Sequence, residues 1–225
     1  MDSKTILAIL FQRLLEVYGP RHWWPARTRF EVIVGAILTQ NVSWKNAKVA
    51  VYKLKKSGLL SPSSLLSVSP VEIAINIKSS RFYNQKAQKL INFCNYLKDK
   101  HNLSLNKMFS NEVGVLRKEL LKIKGIGKET ADSILLYAGN KLSFVVDAYT
   151  KRFLFRYGLL GEMSSYDEIR MFFMSNVPMS LYIYKEFHAL IVQHCYSICK
   201  LVPDCSSCEI KNADNNILCT FYSKQ

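Results

Sequence analysis

Apolar positions recur along this chain at intervals of three and four residues, the spacing that gathers them on one face of a helix. Ile6, Leu7, Leu10, Leu14, Leu15 and Val17 keep the pattern until Gly19-Pro20 stops it. Ile33, Val34, Ile37 and Leu38 repeat it within Arg29 to Gln40, and Ala47, Val51 and Leu54 resume it after a break at Asn41-Val42-Ser43. Ser69-Pro70-Val71-Glu72 combines an N-cap, a proline at the first helical position and a capping-box glutamate, and Ser165-Tyr166-Asp167-Glu168 is a second capping box. Long helices are predicted over Asn84 to Lys98 and Leu181 to Ile198. Leu142 to Val146 is a short run that reads as helix or strand. The expected fold class is all-α.

Composition narrows the function classes. A chain of 225 residues suits one or two domains and can bury a sizeable core. Hydrophobic residues at 49% and charged residues at 21% exclude a disordered tail or linker. Apolar runs stop well short of the roughly 18 residues a membrane span needs. Met1-Asp2-Ser3-Lys4 lacks the marks of a secretory signal, so a cytoplasmic location is expected. Lys and Arg number 31 against 17 Asp and Glu, a net charge of +14 that favours a polyanionic partner, nucleic acid or an anionic membrane surface. Five of the six cysteines lie between Cys195 and Cys219, which suggests a metal or cluster site rather than a secreted disulfide scaffold.

The most informative stretch is Leu120 to Asp132, where Lys124-Gly125-Ile126-Gly127-Lys128 joins two helices. Glycine tolerates positive φ and lets another backbone approach closely. A turn of this kind presents amide N–H groups at the start of the next helix, a site for a phosphate, and Lys122, Lys124 and Lys128 add positive charge. A tight helix–helix turn alone would need the same glycines.

In this hairpin the chain resembles the helix-hairpin-helix DNA glycosylase superfamily, in its endonuclease III-like branch. Other motifs carry the resemblance in order: Phe30 to Asn41, with Thr39-Gln40-Asn41 as a glutamine-bearing turn; Arg81-Phe82-Tyr83-Asn84-Gln85-Lys86-Ala87 as a wedge-loop segment; and Val145-Val146-Asp147 as an aspartate-bearing segment. The resemblance implies two helical domains flanking a DNA-binding cleft. One is expected over residues 25–136, ending in the hairpin. The other is expected from residues 1–24 and 137–225, with a cluster loop at 195–219. It further implies that Gln40 fills the space an extruded base leaves, that Phe82 enters the duplex, and that Lys124, Gly125, Ile126, Gly127 and Lys128 contact DNA. For Phe82, core packing is the competing role.

The catalytic expectations follow from what stands at each matched position. Bifunctional relatives use a lysine after the hairpin to form an imine with the sugar. Here the matched residue is Glu129, which cannot, and Lys128 is one position off, about a hundred degrees round a helix; a shifted alignment that makes Lys128 catalytic is the competing reading. Asp147 is the expected catalytic carboxylate, stabilising an oxocarbenium-like sugar and activating water. A helix N-cap is its plain alternative role, and the two can coexist. Glu129 is a candidate for positioning water or base.

Trp23-Trp24-Pro25 and Trp44 look most like the base pocket of the endonuclease III-type 3-methyladenine glycosylases. Tryptophan faces attract a cationic base by about 0.5–2 kcal/mol, and an alkylated purine is already an activated leaving group. Packing in a core would account for the same tryptophans.

Cys199, Cys205, Cys208 and Cys219 can supply four thiolates, a set that fits zinc or an iron–sulfur cluster. The resemblance implies a [4Fe–4S] cluster, although the first interval here is shorter and the last longer than the family's. Cys195 is the substitute fourth ligand, and Cys94 is expected in the core.

The resulting expectation is a monomeric, monofunctional base-excision glycosylase acting on double-stranded DNA that carries an alkylated purine. The alternatives are a glycosylase for damaged or mismatched pyrimidines with weak lyase activity, and a non-catalytic DNA-binding module.

Overall fold

The computed structural model describes residues 1–214 and 217–221. The chain divides into two compact units, Met1–Trp23 together with Leu142–Gln225, and Trp24–Lys141.

The continuous unit is built around α2 (Arg29–Leu38), which is buried from Val32 through Leu38. A helix apolar on every side belongs at the centre of a bundle. Around it pack α3 (Trp44–Lys56), α6 (Tyr83–His101), α9 (Lys128–Ser133) and a π-helical turn at Ile134–Ala138. Shorter helices α4 (Pro62–Leu66), α5 (Pro70–Asn76), α7 (Leu105–Ser110) and α8 (Val113–Lys122) complete the unit. In α6, Ala87, Leu90, Phe93, Cys94 and Leu97 face inward at helical spacing, so Cys94 is a core residue. Burial of such Leu and Phe side chains contributes roughly 1.5–3 kcal/mol each.

Caps fix where the helices begin. Thr28, Ser43 and Ser69 accept hydrogen bonds from the amides of Glu31, Asn46 and Glu72. The two helices of the hairpin are tied by a bidentate ion pair, with Arg117 Nε 2.8 Å from Asp132 Oδ1 and Nη2 2.9 Å from Oδ2. Asp132 is fully buried.

The discontinuous unit packs α1 (Ser3–Tyr18) with α11 (Tyr166–Asn176) and α12 (Leu181–Ser197), and α12 with α10 (Ala148–Arg156). Leu7, Leu10 and Leu14 form the buried stripe of α1, which ends at Gly19 with φ +65°. The Phe144 and Phe173 rings stack at 3.9 Å, and Phe187 stands edge-on to both. At Ser165 both halves of the capping box are made.

Leu142 to Val146 is neither helix nor strand. Phe144, Val145 and Val146 are consecutive and all buried, so no face of that segment is left polar. Among the described residues the β-structure is a two-stranded antiparallel ribbon, β1 (Asn212–Asp214) with β2 (Ile217–Leu218), in the cysteine-rich segment. The fold class is all-α apart from this ribbon. No helix among the described residues is long and apolar enough to cross a membrane.

Candidate active site

The aromatic residues divide at the boundary between the units. Trp23, half-buried, ends one segment of the discontinuous unit, and Trp24 opens the continuous one. The chain leading to Trp23 is anchored by Glu186 on α12, a buried carboxylate that accepts the amides of Arg21 (2.6 Å) and His22 (2.8 Å). The Trp24 indole lies against Gly35 of α2, where a Cβ would stand 3.1 Å from Cζ2. It meets Trp44 edge-on at 5.2 Å and Tyr137 at 5.1 Å. Tyr137 lies in the π-helical turn and was not foreseen, because nothing in its local sequence announces that turn. Pro25 is exposed.

The turn after α2 carries Gln40, whose amide is hydrogen-bonded at both ends within the unit. Phe82 is 60% exposed, so it is not a core residue. It and Arg81 both adopt positive φ, at +43° and +54°, a sparsely populated backbone state for non-glycine residues that is held by the surrounding structure. Lys86, only 1% exposed, does much of that holding. Its Nζ donates to the carbonyl oxygens of Ser80 (2.5 Å) and Leu38 (2.8 Å), joining the approach to Phe82 to the end of α2. Burial, with a smaller contribution from Lys89, pushes its pKa down to about 8. Lys86 was not foreseen as a key residue, because a lysine in a helical sequence reads as surface.

In the hairpin, Gly125 has φ +98° and is the glycine its turn requires. Gly127 has φ −89°, which any residue can adopt, and open space beyond its Cα, so its value is access rather than conformation. The Ile126 side chain is buried, and its amide closes the turn onto the Ile123 carbonyl at 3.0 Å. Lys124 and Lys128 are exposed, and Glu129 is exposed on the first turn of α9.

Asp147 is the N-cap of α10. Its Oδ1 accepts from Thr150 N at 2.7 Å and Thr150 Oγ1 at 2.9 Å. Its Oδ2 lies 3.5 Å from Nε2 of the buried His188, and 16% of the side chain remains exposed. Burial raises the pKa, but the hydrogen bond and charge of His188 and the Thr150 bonds outweigh it and hold the carboxyl below the usual range. The group is therefore an anion at neutral pH with both oxygens oriented.

Cys199, Cys205, Cys208 and Cys219 line one cavity, with Arg156, Tyr157 and His194 in its wall. Arg156 Nη1 donates to the Cys199 sulfur at 2.9 Å and to the Lys200 carbonyl at 2.8 Å, while the Arg156 carbonyl accepts from Thr220 Oγ1 at 2.9 Å. Hydrogen bonds from Cys195, His194 and Arg156 overcome burial and hold the Cys199 thiol well below its ordinary value. Cys195 itself is buried against the Tyr149 carbonyl, and its hydrogen bond to Cys199, with burial, pushes its thiol up. Lys211 turns its ammonium onto the Cys205 and Ser206 carbonyls and so braces the loop. Among the described residues no three or more His, Cys, Asp or Glu side chains are gathered closely enough to hold a single metal ion.

The all-α fold, the glycine hairpin and the aspartate-capped helix agree with the helix-hairpin-helix resemblance. Residues 34–179 match the HhH-GPD superfamily of base excision DNA repair proteins, and the chain belongs to it. It is 47% identical over 203 residues to a candidate DNA repair glycosylase of Methanocaldococcus jannaschii, spanning 90% of this chain and 92% of that one. The structure of Helicobacter pylori 3-methyladenine DNA glycosylase bound to 1,N6-ethenoadenine aligns with a TM-score of 0.75 and 32% identity, over 86% of this chain and 97% of that one. A non-covalent endonuclease III–DNA complex aligns with a TM-score of 0.84 over 100% of this chain and 98% of that one, a likeness of fold at 22% identity.

Proposed function

We propose that this DNA glycosylase is monofunctional and hydrolyses the N-glycosidic bond of alkylated purines of the 3-methyladenine type. The observation that carries the substrate class is the aromatic group formed by Trp24, Trp44 and Tyr137. Electron-rich faces attract a delocalised cation, and an N3-alkylated purine is one. The likeness to a 3-methyladenine glycosylase holding an ethenoadenine supports the same class. Trp23 and Pro25 border Trp24 in sequence and are further candidates for contact with the base.

Asp147 supplies the chemistry. As the glycosidic bond lengthens, positive charge grows on the sugar, and an oriented carboxylate stabilises it. The oxygen facing His188 is the one suited to align or deprotonate water, because the other is committed to Thr150. A cationic leaving group departs with little acid assistance, so a single carboxylate suffices. Glu129 stands where an amine would be needed for imine chemistry; a carboxylate there forms no Schiff base, and its proposed part is positioning. On the DNA side, Gln40 fills the vacated space and Phe82 is the wedge. Lys124, Gly125, Gly127 and Lys128 meet the phosphate backbone, with Ile126 shaping the turn from inside.

The four cysteines around a common cavity fit a [4Fe–4S] cluster. All four thiols line that cavity, as a multi-iron group held by four thiolates requires, and zinc is the alternative occupant. Bound there, the cluster would supply structural cross-links to the loop. Cys219 lines the cavity and Cys195 does not, which favours Cys219 as the fourth ligand.

Release of free base from methylated duplex DNA, run beside thymine-glycol and mismatch duplexes, tests the reading. Methylated purine should be released, and borohydride should trap no covalent complex. Release confined to pyrimidine lesions, or efficient trapping, would replace it with the pyrimidine-lyase alternative. Glu129→Lys should gain trapping.

A further inference from the structure

Gln40 is held as firmly as a core residue although it stands on a turn. Its Oε1 accepts from Lys89 Nζ at 2.5 Å, and its Nε2 donates to the Gly125 carbonyl at 3.1 Å and to Thr130 Oγ1 at 2.8 Å. The amide cannot turn over, because an ammonium has no acceptor to offer the Nε2 group. Lys89 makes a second contact through its stem. A Cβ on Gly125 would lie 2.4 Å from Lys89 Cγ, so the lysine rests directly on the hairpin glycine. One side chain on α6 therefore grips the glutamine with its head and the hairpin with its body.

We propose that Lys89 is a positioning residue that clamps Gln40 to the hairpin and so governs when a base is extruded. The inference rests on the reading of Gln40 as the residue that fills the vacated space. For Gln40 to move into a duplex it must leave Lys89, Gly125 and Thr130 together. A damaged, weakly stacked base lowers the cost of extrusion. A sound base does not, and the clamp then keeps Gln40 seated. The opening cost is the same for both, but it is offset where a weakly stacked base is extruded almost completely and falls in full on a sound base that is extruded rarely, so Lys89 sharpens discrimination without touching either.

The test is a double-mutant cycle in the full-length protein, read by the fluorescence of 2-aminopurine at the target position of undamaged duplex and by single-turnover excision from methylated duplex. Lys89→Met keeps the stem over Gly125 and removes the ammonium. It should raise extrusion on undamaged DNA and lower the damaged-to-undamaged ratio by roughly ten-fold, with Lys89→Arg restoring it. In a Gln40→Ala background the same change should have no effect. If Lys89→Met instead weakens binding equally in both backgrounds and makes the salt dependence shallower, Lys89 is a phosphate contact and the clamp is wrong. If Gln40→Ala alone leaves extrusion unaltered, the space-filling reading of Gln40 fails first, and the clamp with it. Circular dichroism melts of each variant separate these outcomes from unfolding.

Discussion

His188 Nε2 stands 3.5 Å from Asp147 Oδ2, on the side of the carboxylate that Thr150 leaves open. The helix cap and the imidazole together fix a carboxylate whose two oxygens differ, one committed to the cap and the other, in the proposed mechanism, serving chemistry.

Replacing Asp147 by Asn separates those duties. Asn caps a helix about as well as Asp, so at neutral pH the melting temperature should fall only by what the lost charge contributed. Excision should fall by about 10²–10³ in single-turnover assays, the usual loss when a transition-state charge partner goes. The folded pKa lies below 3.8, so this group's stabilising contribution is complete above the unfolded value and disappears as pH falls through the folded one. Wild type should therefore lose stability on acidification more steeply than Asp147→Asn. Undiminished excision by the variant would remove the aspartate from the mechanism.

Lys86 makes an opposite prediction on the alkaline side. Its pKa of about 8 lies below the ordinary 10.5, so between those values the unfolded chain binds more protons than the folded one. Stability contributed by this site must then rise as pH climbs from about 8 toward 10.5. The neutral amine still has two hydrogens, one for each carbonyl, so its bonds to Leu38 and Ser80 survive deprotonation. Lys86→Met should cost about 1–3 kcal/mol at neutral pH by orphaning those carbonyls. Urea titrations at several pH values should show the wild-type advantage growing with alkalinity; a constant difference would mean the lysine does not titrate there.

The Arg117–Asp132 pair fixes the hairpin helices, and Asp132 is wholly buried. Arg117→Met should destabilise by about 3–5 kcal/mol because it removes the bidentate charge partner of a buried carboxylate. Arg117→Met with Asp132→Leu should recover much of that loss in denaturant midpoint. A double variant as weak as the single would show that the pair is not the source.

The two candidate fourth ligands are distinguished by iron analysis. Cys219→Ser should lower bound iron and bleach the brown colour expected of a four-iron protein, while Cys195→Ser should retain about four irons per chain. The reverse result exchanges their roles.

Much of this architecture is written in the sequence because its signals are local. Gly19-Pro20, Ser69-Pro70 and the Ser165 box each act within a few residues, and α1, α5 and α11 begin or end where those signals stand. The aspartate cap was equally plain. What escaped is set by distant partners. Lys86 and Lys89 look like surface lysines until α6 is packed against the end of α2. Tyr137 becomes an aromatic wall only through a π-helical turn. Leu142 to Val146 misled for a related reason: three adjacent buried residues carry no period at all.

The interrupted unit has a cost during synthesis. Leu7, Leu10 and Leu14 emerge from the ribosome early, yet the α12 surface that covers them is more than a hundred residues downstream. At roughly 5–20 residues per second, that apolar stripe waits on the order of ten seconds for its mate, while the uninterrupted unit can already close. Nascent chains stalled before Leu181 should therefore engage hydrophobic-binding chaperones through their first helix.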